Sequence, residues 1–185
     1  MDPVILAFPE RDTPAPLRAQ VLDLIAEAWP PYGFTGHDPA LHPLSMLLVA
    51  DDVVLATLDI LTKPLTHAGR TYRAGGLSMV ATRRSARGQG HGHHLVSAAR
   101  EAMAATVDLG LFTCDRPLQP FYEAAGWSHL PGTVLVGGTP EAPFPSDHPG
   151  FDKVTMCDFF TPGIDRKAFE NTRINLHPGT VDKLW

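Results

Sequence analysis

Apolar positions recur along the chain at two periods, and the changes between them mark the elements. Residues 4–8 form a short apolar run that reads as a first strand. Thr13-Pro14 then predicts a helix start, a capping hydroxyl followed by proline at the first helical position. Leu17, Val21, Leu22, Leu24, Ile25 and Ala28 carry a helical stripe to about Trp29. Residues 30–43 hold four prolines and two glycines and predict a loop. Residues 46–50 and 53–61 flank Asp51-Asp52 as strand, tight turn, strand, and a second hairpin turns at residues 67–70 between 61–66 and 71–82. The strongest helix runs over residues 90–107, with Leu95, Val96, Ala99, Met103 and Val107 at helical spacing. A strand at 109–114 and a short helix at 118–125, ended by Gly126, follow. Two further strands, 134–137 and 154–160, are separated by the proline-rich stretch 139–150. Strands in hairpins with helices interposed predict a single α+β domain, its mixed, mostly antiparallel sheet flanked by helices.

Composition narrows the class. Of 185 residues, 44% are hydrophobic and 19% charged, which excludes a disordered or fibrous chain. A formal charge of −5 argues against a broad nucleic-acid-binding surface. No apolar run approaches the length of a membrane span and no signal-peptide pattern opens the chain, so a soluble, cytoplasmic protein is expected. Cys114 and Cys157 stand in apolar stretches and read as buried thiols. Sixteen glycines and 18 prolines exceed ordinary usage, and their placement leads to the chemistry.

The segment Arg87-Gly88-Gln89-Gly90-His91-Gly92 follows a strand and opens the best helix. Glycines at alternate positions let backbone approach a ligand closely, and the first amides of a helix lack internal partners while sitting at the positive end of its dipole. Together these features form a cradle for pyrophosphate. Arg83, Arg84 and Arg87 stand where guanidinium groups can reach further phosphates. The G-x-G-x-G spacing is not the dinucleotide fingerprint G-x-G-x-x-G, and no Gly-Lys-Ser/Thr of a Walker loop is present. His91, His93 and His94 predict no metal site, because adjacent helical residues point about 100° apart.

About thirty residues later comes Phe121-Tyr122-Glu123-Ala124-Ala125-Gly126-Trp127. This stretch and the glycine loop together resemble the GNAT superfamily of acyl-coenzyme A N-acyltransferases, whose R/Q-x-x-G-x-G pattern is matched by Arg87, Gly90 and Gly92. Within it the chain is most similar to the aminoglycoside 2′-N-acetyltransferases, on residues 69–82, Arg87-Gly88-Gln89, His94-Leu95-Val96-Ser97-Ala98, Tyr122 to Trp127 and the terminal Gly179-Thr180-Val181-Asp182-Lys183-Leu184-Trp185.

The resemblance implies a GNAT fold, a bulged strand over residues 77–82 and acetyl-coenzyme A as co-substrate, held by Met79, Val80, Thr82, Arg87, Gly88, Gln89, Gly90, His91 and Gly92. It implies a small amine acceptor, an aminoglycoside or other aminosugar foremost, and a homodimer. Asp38, Ser78, Thr113 and Trp185 would meet the acceptor, Trp185 through its terminal carboxylate at the end of an extension over residues 161–185 that reaches the substrate cleft. Tyr122 would act as general acid toward the departing sulfur, and a strand amide near Val80 would polarise the thioester carbonyl. Ser78 and Trp185 complete the implied catalytic set. The family places a glutamate as base where this chain has Ser78, and a serine hydroxyl takes no proton at neutral pH. An alkylamine of pKa ~10.4 costs roughly 4–5 kcal/mol to deprotonate at pH 7, so an aminosugar amine with its lower pKa needs less help. Asp115, the Trp185 carboxylate and a water held by Ser78 are all open as helpers. Two other readings remain: an N-acyltransferase for another amine, and an acyl-coenzyme A-binding sensor that has lost its base.

Overall fold

A computed structural model describes residues 2–30 and 33–176. A seven-stranded sheet contains, in spatial order, β1 (Val4–Pro9), β2 (Leu44–Ala50), β3 (Val53–His67), β4 (Arg70–Thr82), β5 (Leu109–Asp115), β9 (Lys153–Phe159) and β6 (Ser128–His129). All neighbours in it are antiparallel except β4 and β5. A second sheet sets β10 (Arg173–Asn175) parallel and β8 (Pro143–Pro145) antiparallel to β7 (Val134–Gly138). The α+β expectation holds.

Both expected hairpins form, and their turns have the backbone twist that flanking strands require. Asp51 and Asp52 have φ of 49° and 62°, and Ala68 and Gly69 of 49° and 75°. Helix α1 (Ala15–Ala28) packs Val21, Leu24 and Ile25 against Leu47, Val49 and Val54 on one face of the sheet. Helix α2 (His91–Ala104) packs Leu95, Val96, Ala99 and Met103 against Leu48, Leu58, Ile60 and Phe112 on the other. Each Val, Leu, Ile, Met or Phe side chain among these contributes roughly 1.5–3 kcal/mol through burial. A third cluster, with Leu65, Tyr72, Leu135, Phe169 and Ile174, closes the end of the sheet under β7 and β10. The short α3 (Gln119–Ala124) ends at Gly126, whose φ of 92° supplies the left-handed exit.

Three expectations are corrected. Thr13 does not cap α1: Pro14 takes that position with no side-chain bond, and Thr13 N–H instead closes the preceding turn on Glu10 O. Pro14 and Pro16 carry no N–H, which reduces the donors a cap would serve. Helix α2 stops three residues early, where the Thr106 hydroxyl back-bonds to Ala102 O. The stretch 139–150 contains β8, because proline is tolerated on the edge of a sheet, where no ladder donor is needed.

Candidate active site

Strands β4 and β5 pair only at Ala74–Leu109 and Gly75–Gly110, and beyond that point they diverge. Glycine is required there by close packing. A Cβ on Gly110 would stand 2.5 Å from the Trp127 ring, and one on Gly75 2.7 Å from the Met103 methyl. On the other side of β4 the register with β3 jumps from Asp59–Ser78 to Thr57–Ala81. Met79 and Val80 therefore form a bulge, and Met79 has a φ of 50°. A bulge leaves backbone groups out of the ladder and turns them aside. Here they adjoin the gap opened by the splay.

Two cavities share Trp29, Val80, Leu118 and Tyr122 in their walls. The outer one, about 500 Å³, is lined by Thr82, Arg87, Gly88, Gly90, His91, Gly92 and Phe121. The inner one, about 320 Å³, is lined by Ser78, Met79, Thr113, Cys114, Asp115, Phe144, Phe151 and Lys153. In the outer wall Gly88 and Gly90 have φ of 77° and 82°, and Gly90 precedes the first turn of α2. A Cβ on Gly92 would come within 2.8 Å of Thr82 Oγ1. Unpaired amides at a helix start thus face a space that side chains do not fill, an arrangement that fits a pyrophosphate.

The expected arginines divide. Arg87 lines the outer cavity and donates from Nε to Thr82 O. Arg83 is turned away to Val54 O and Gln20, and Arg84 pairs with Glu27, so neither is a phosphate ligand in this arrangement. Gln89 donates to Ser85 O and braces the loop. His93 is bonded to Ala124 O.

Tyr122 is 6% exposed, lines both cavities and packs edge-on against Phe112 and Phe121. Its hydroxyl takes no hydrogen-bond partner among the described residues. Burial raises its pKa well above the ordinary phenol value, with Cys114 and Asp115 adding to the shift, so the hydroxyl keeps its proton at neutral pH. Burial likewise lifts Cys114 to about 11, which removes it as a nucleophile. Asp115 pairs with Lys153 at 2.8 Å.

The expected acceptor residues are dispersed. Ser78 and Thr113 face the inner cavity. Asp38 caps the turn Pro39–Leu41 by accepting from Ala40 N, and it lines neither cavity. Of the extension over 161–185, Phe169, Ile174 and Leu176 are core residues, and Trp185 lies outside the described residues. The rim residues Trp29, Leu118, Phe144, Phe151 and Lys153 were not expected. The only sign of the four apolar ones in the sequence is bulk next to proline-rich loops, and Lys153 carries none.

Behind Ser78, Glu10, His37 and Asp59 are buried with one ligand atom each within 4.8 Å of one another, the spacing of a cation shell. Arg18 already meets Glu10 at 3.2 Å, and His37 Nε2 lies in hydrogen-bond contact with Asp59 at 3.1 Å, so each carboxylate has a partner within the chain.

Known proteins resemble this arrangement. Residues 7–130, about two thirds of the chain, match the model of the acetyltransferase (GNAT) domain. No curated protein matches in sequence. Among solved structures, an acyl-CoA N-acyltransferase from Pseudomonas aeruginosa superposes with a TM-score of 0.58 at 18% identity, over 84% of this chain and 99% of that one. Escherichia coli ElaA gives 0.60 at 16% identity over 84% and 98%. Glucosamine-6-phosphate N-acetyltransferase from Arabidopsis thaliana gives 0.52 at 14% identity over 69% and 92%. With two thirds of its length in the family's model and the bulge, splay and glycine loop in place, the chain belongs to the GNAT acetyltransferase family.

Proposed function

We propose that the protein transfers an acetyl group from acetyl-coenzyme A to a small amine, with an aminosugar as acceptor. One observation carries this reading: the glycine loop, the bulge and Tyr122 border two cavities with common walls. Coenzyme A would lie with its pyrophosphate at Gly88, Gly90, His91, Gly92 and Arg87, and its thioester arm against Met79, Val80 and Thr82. A strand amide at the bulge polarises the acyl carbonyl, and Tyr122 holds a proton for the departing sulfur. Acetyl-coenzyme A, when bound, would supply the activated acyl group. The chain's own residues orient it, exclude water and move protons.

The acceptor reading follows from the inner cavity. Its only described carboxylate, Asp115, is already paired with Lys153, and its rim carries Trp29, Leu118, Phe144 and Phe151. Such a wall suits an amine of low charge with a ring to pack, such as a single aminosugar, better than a polycation. An aminosugar amine also has a lowered pKa, which suits a strand position occupied by Ser78. One of the solved folds above acts on glucosamine-6-phosphate, in keeping with this choice. The test is a competition in which glucosamine, glucosamine 6-phosphate, kanamycin and spermidine are offered together with acetyl-coenzyme A and the products are separated by mass. Acetylated monoaminosugar as the main product supports the assignment, and acetylated spermidine or kanamycin in its place refutes it.

A further inference from the structure

Ser78 stands beside the bulge where the reaction calls for a base, and a serine hydroxyl is not one. A carboxylate is available one strand away. Asp59 on β3 is the cross-strand partner of Ser78, and also of Ser45 on β2. Directly opposed residues in antiparallel strands project from the same face, with Cβ atoms about 4.5–5.5 Å apart. Asp59 is wholly buried, yet it is served on two sides. Ser45 Oγ donates to its Oδ1 at 2.5 Å, and His37 Nε2 lies 3.1 Å from its Oδ2. The network then runs outward. The backbone N–H of His37 donates to Glu10 Oε2 at 3.0 Å, which fixes the loop that carries the imidazole; Glu10 in turn pairs with Arg18 and forms part of the wall of a separate cavity of about 340 Å³. The same sheet face is filled nearby by Leu47, Val49 and Val54, so packing alone does not require charge here.

Resting on the N-acetyltransferase reading above, we infer that Asp59, held by His37 and Ser45, is a positioning residue that draws the acceptor's proton through Ser78. The protonated amine gives one proton to the water beside Ser78, and that water reprotonates the Ser78 hydroxyl as the hydroxyl hands its own proton to Asp59, which holds it until product leaves and then returns it to solvent by the same route. The freed lone pair forms the C–N bond to the thioester carbonyl carbon as the C–S bond breaks. The sulfur leaves with its electron pair and takes the Tyr122 proton, and the second amine proton restores the Tyr122 hydroxyl. One proton reaches solvent and one ends on the thiol. The groups facing Asp59 are His37 from the loop before β2, Glu10 from the turn after β1, and Ser45 and Ser78 from the flanking strands. Arg18 of α1 stands behind Glu10, and Lys63 lies two same-face positions further along β3.

The test compares the wild-type protein with Asp59→Asn between pH 6.5 and 9.5, following thiol release with whichever of glucosamine, kanamycin and spermidine the wild type acetylates fastest. At pH 6.5, where the amine arrives charged, kcat should fall about tenfold or more. The KM for acetyl-coenzyme A should stay within about twofold, and the gap should narrow to about threefold at pH 9.5 as the amine arrives neutral. An equal loss at both ends, or no loss, overturns the inference. Should Asp59→Asn fail to fold, Ser78→Ala cuts the same route at the cleft wall and must show the same narrowing; a flat profile there also overturns it. A wild-type protein that binds coenzyme A but acetylates no amine removes the N-acetyltransferase reading and this inference with it. An active wild type with a flat Asp59→Asn profile removes only the route through Asp59.

Discussion

The proposed chemistry rests on single side chains, and the environment of each bears on the role proposed for it. Tyr122 is buried, lines both cavities and keeps its proton at neutral pH, the state that the proposed role as donor to the departing sulfur requires. Tyr122→Phe removes that proton while keeping the ring that packs on Phe112 and Phe121. Turnover should fall by about 10²-fold, within the usual range for a general acid, with coenzyme A affinity unchanged by calorimetry. Cys114 lies a few residues away in sequence and lines the same cavity, yet burial holds its thiol to about pH 11. At pH 8 roughly one molecule in a thousand carries a Cys114 thiolate. Native alkylation by iodoacetamide, read by mass, should therefore be slow at pH 8 and accelerate as pH rises toward 11, the sign required of a raised pKa. Rapid modification at pH 7 would show that the cavity wall is not packed as described.

At the scale of elements, the site is made by two irregularities in β4, the bulge at Met79-Val80 and the loss of pairing after Gly75. Gly110→Ala tests the second. The added methyl meets Trp127 and Met103, and overpacking of this kind costs about 1–3 kcal/mol, or several degrees in Tm by calorimetry. The hairpins, helices and glycine loop were legible in the sequence because each is specified by neighbouring residues: paired aspartates for a turn, an apolar stripe for a helix, alternate glycines for the anion cradle. The charged cluster was not. Glu10, His37 and Asp59 lie 27 and 22 residues apart and meet only because strand register sets Asp59 opposite both Ser45 and Ser78. Asp38 was the acidic residue chosen from its loop, but the loop turns His37 inward and uses Asp38 to cap a turn. Likewise β8 was hidden by its prolines, which on an edge strand are no obstacle.

For the whole molecule, net charge and site oppose each other. The chain carries a formal −5, and its co-substrate is an anion. Binding must therefore depend on local groups rather than on the overall field, and the proposed ones are the amides at the start of α2 together with Arg87. Saturation at a hundredfold above Kd should stabilise the fold by about 2.7 kcal/mol. For a chain of this size that is a rise of about 5–10 °C in Tm by scanning fluorimetry. The rise should shrink in Gly90→Ala, where a Cβ meets open space but the φ of 82° becomes strained. An undiminished shift in that variant would place coenzyme A elsewhere.

The most direct measurement follows free thiol release from acetyl-coenzyme A with glucosamine, for the wild-type protein and Tyr122→Phe side by side. Thiol should appear in step with N-acetylglucosamine in the wild type, and about a hundred times more slowly in the variant at equal coenzyme A occupancy. Equal rates in the two proteins, or a wild type that binds coenzyme A and releases no thiol, would contradict acetyl transfer at the splayed strands.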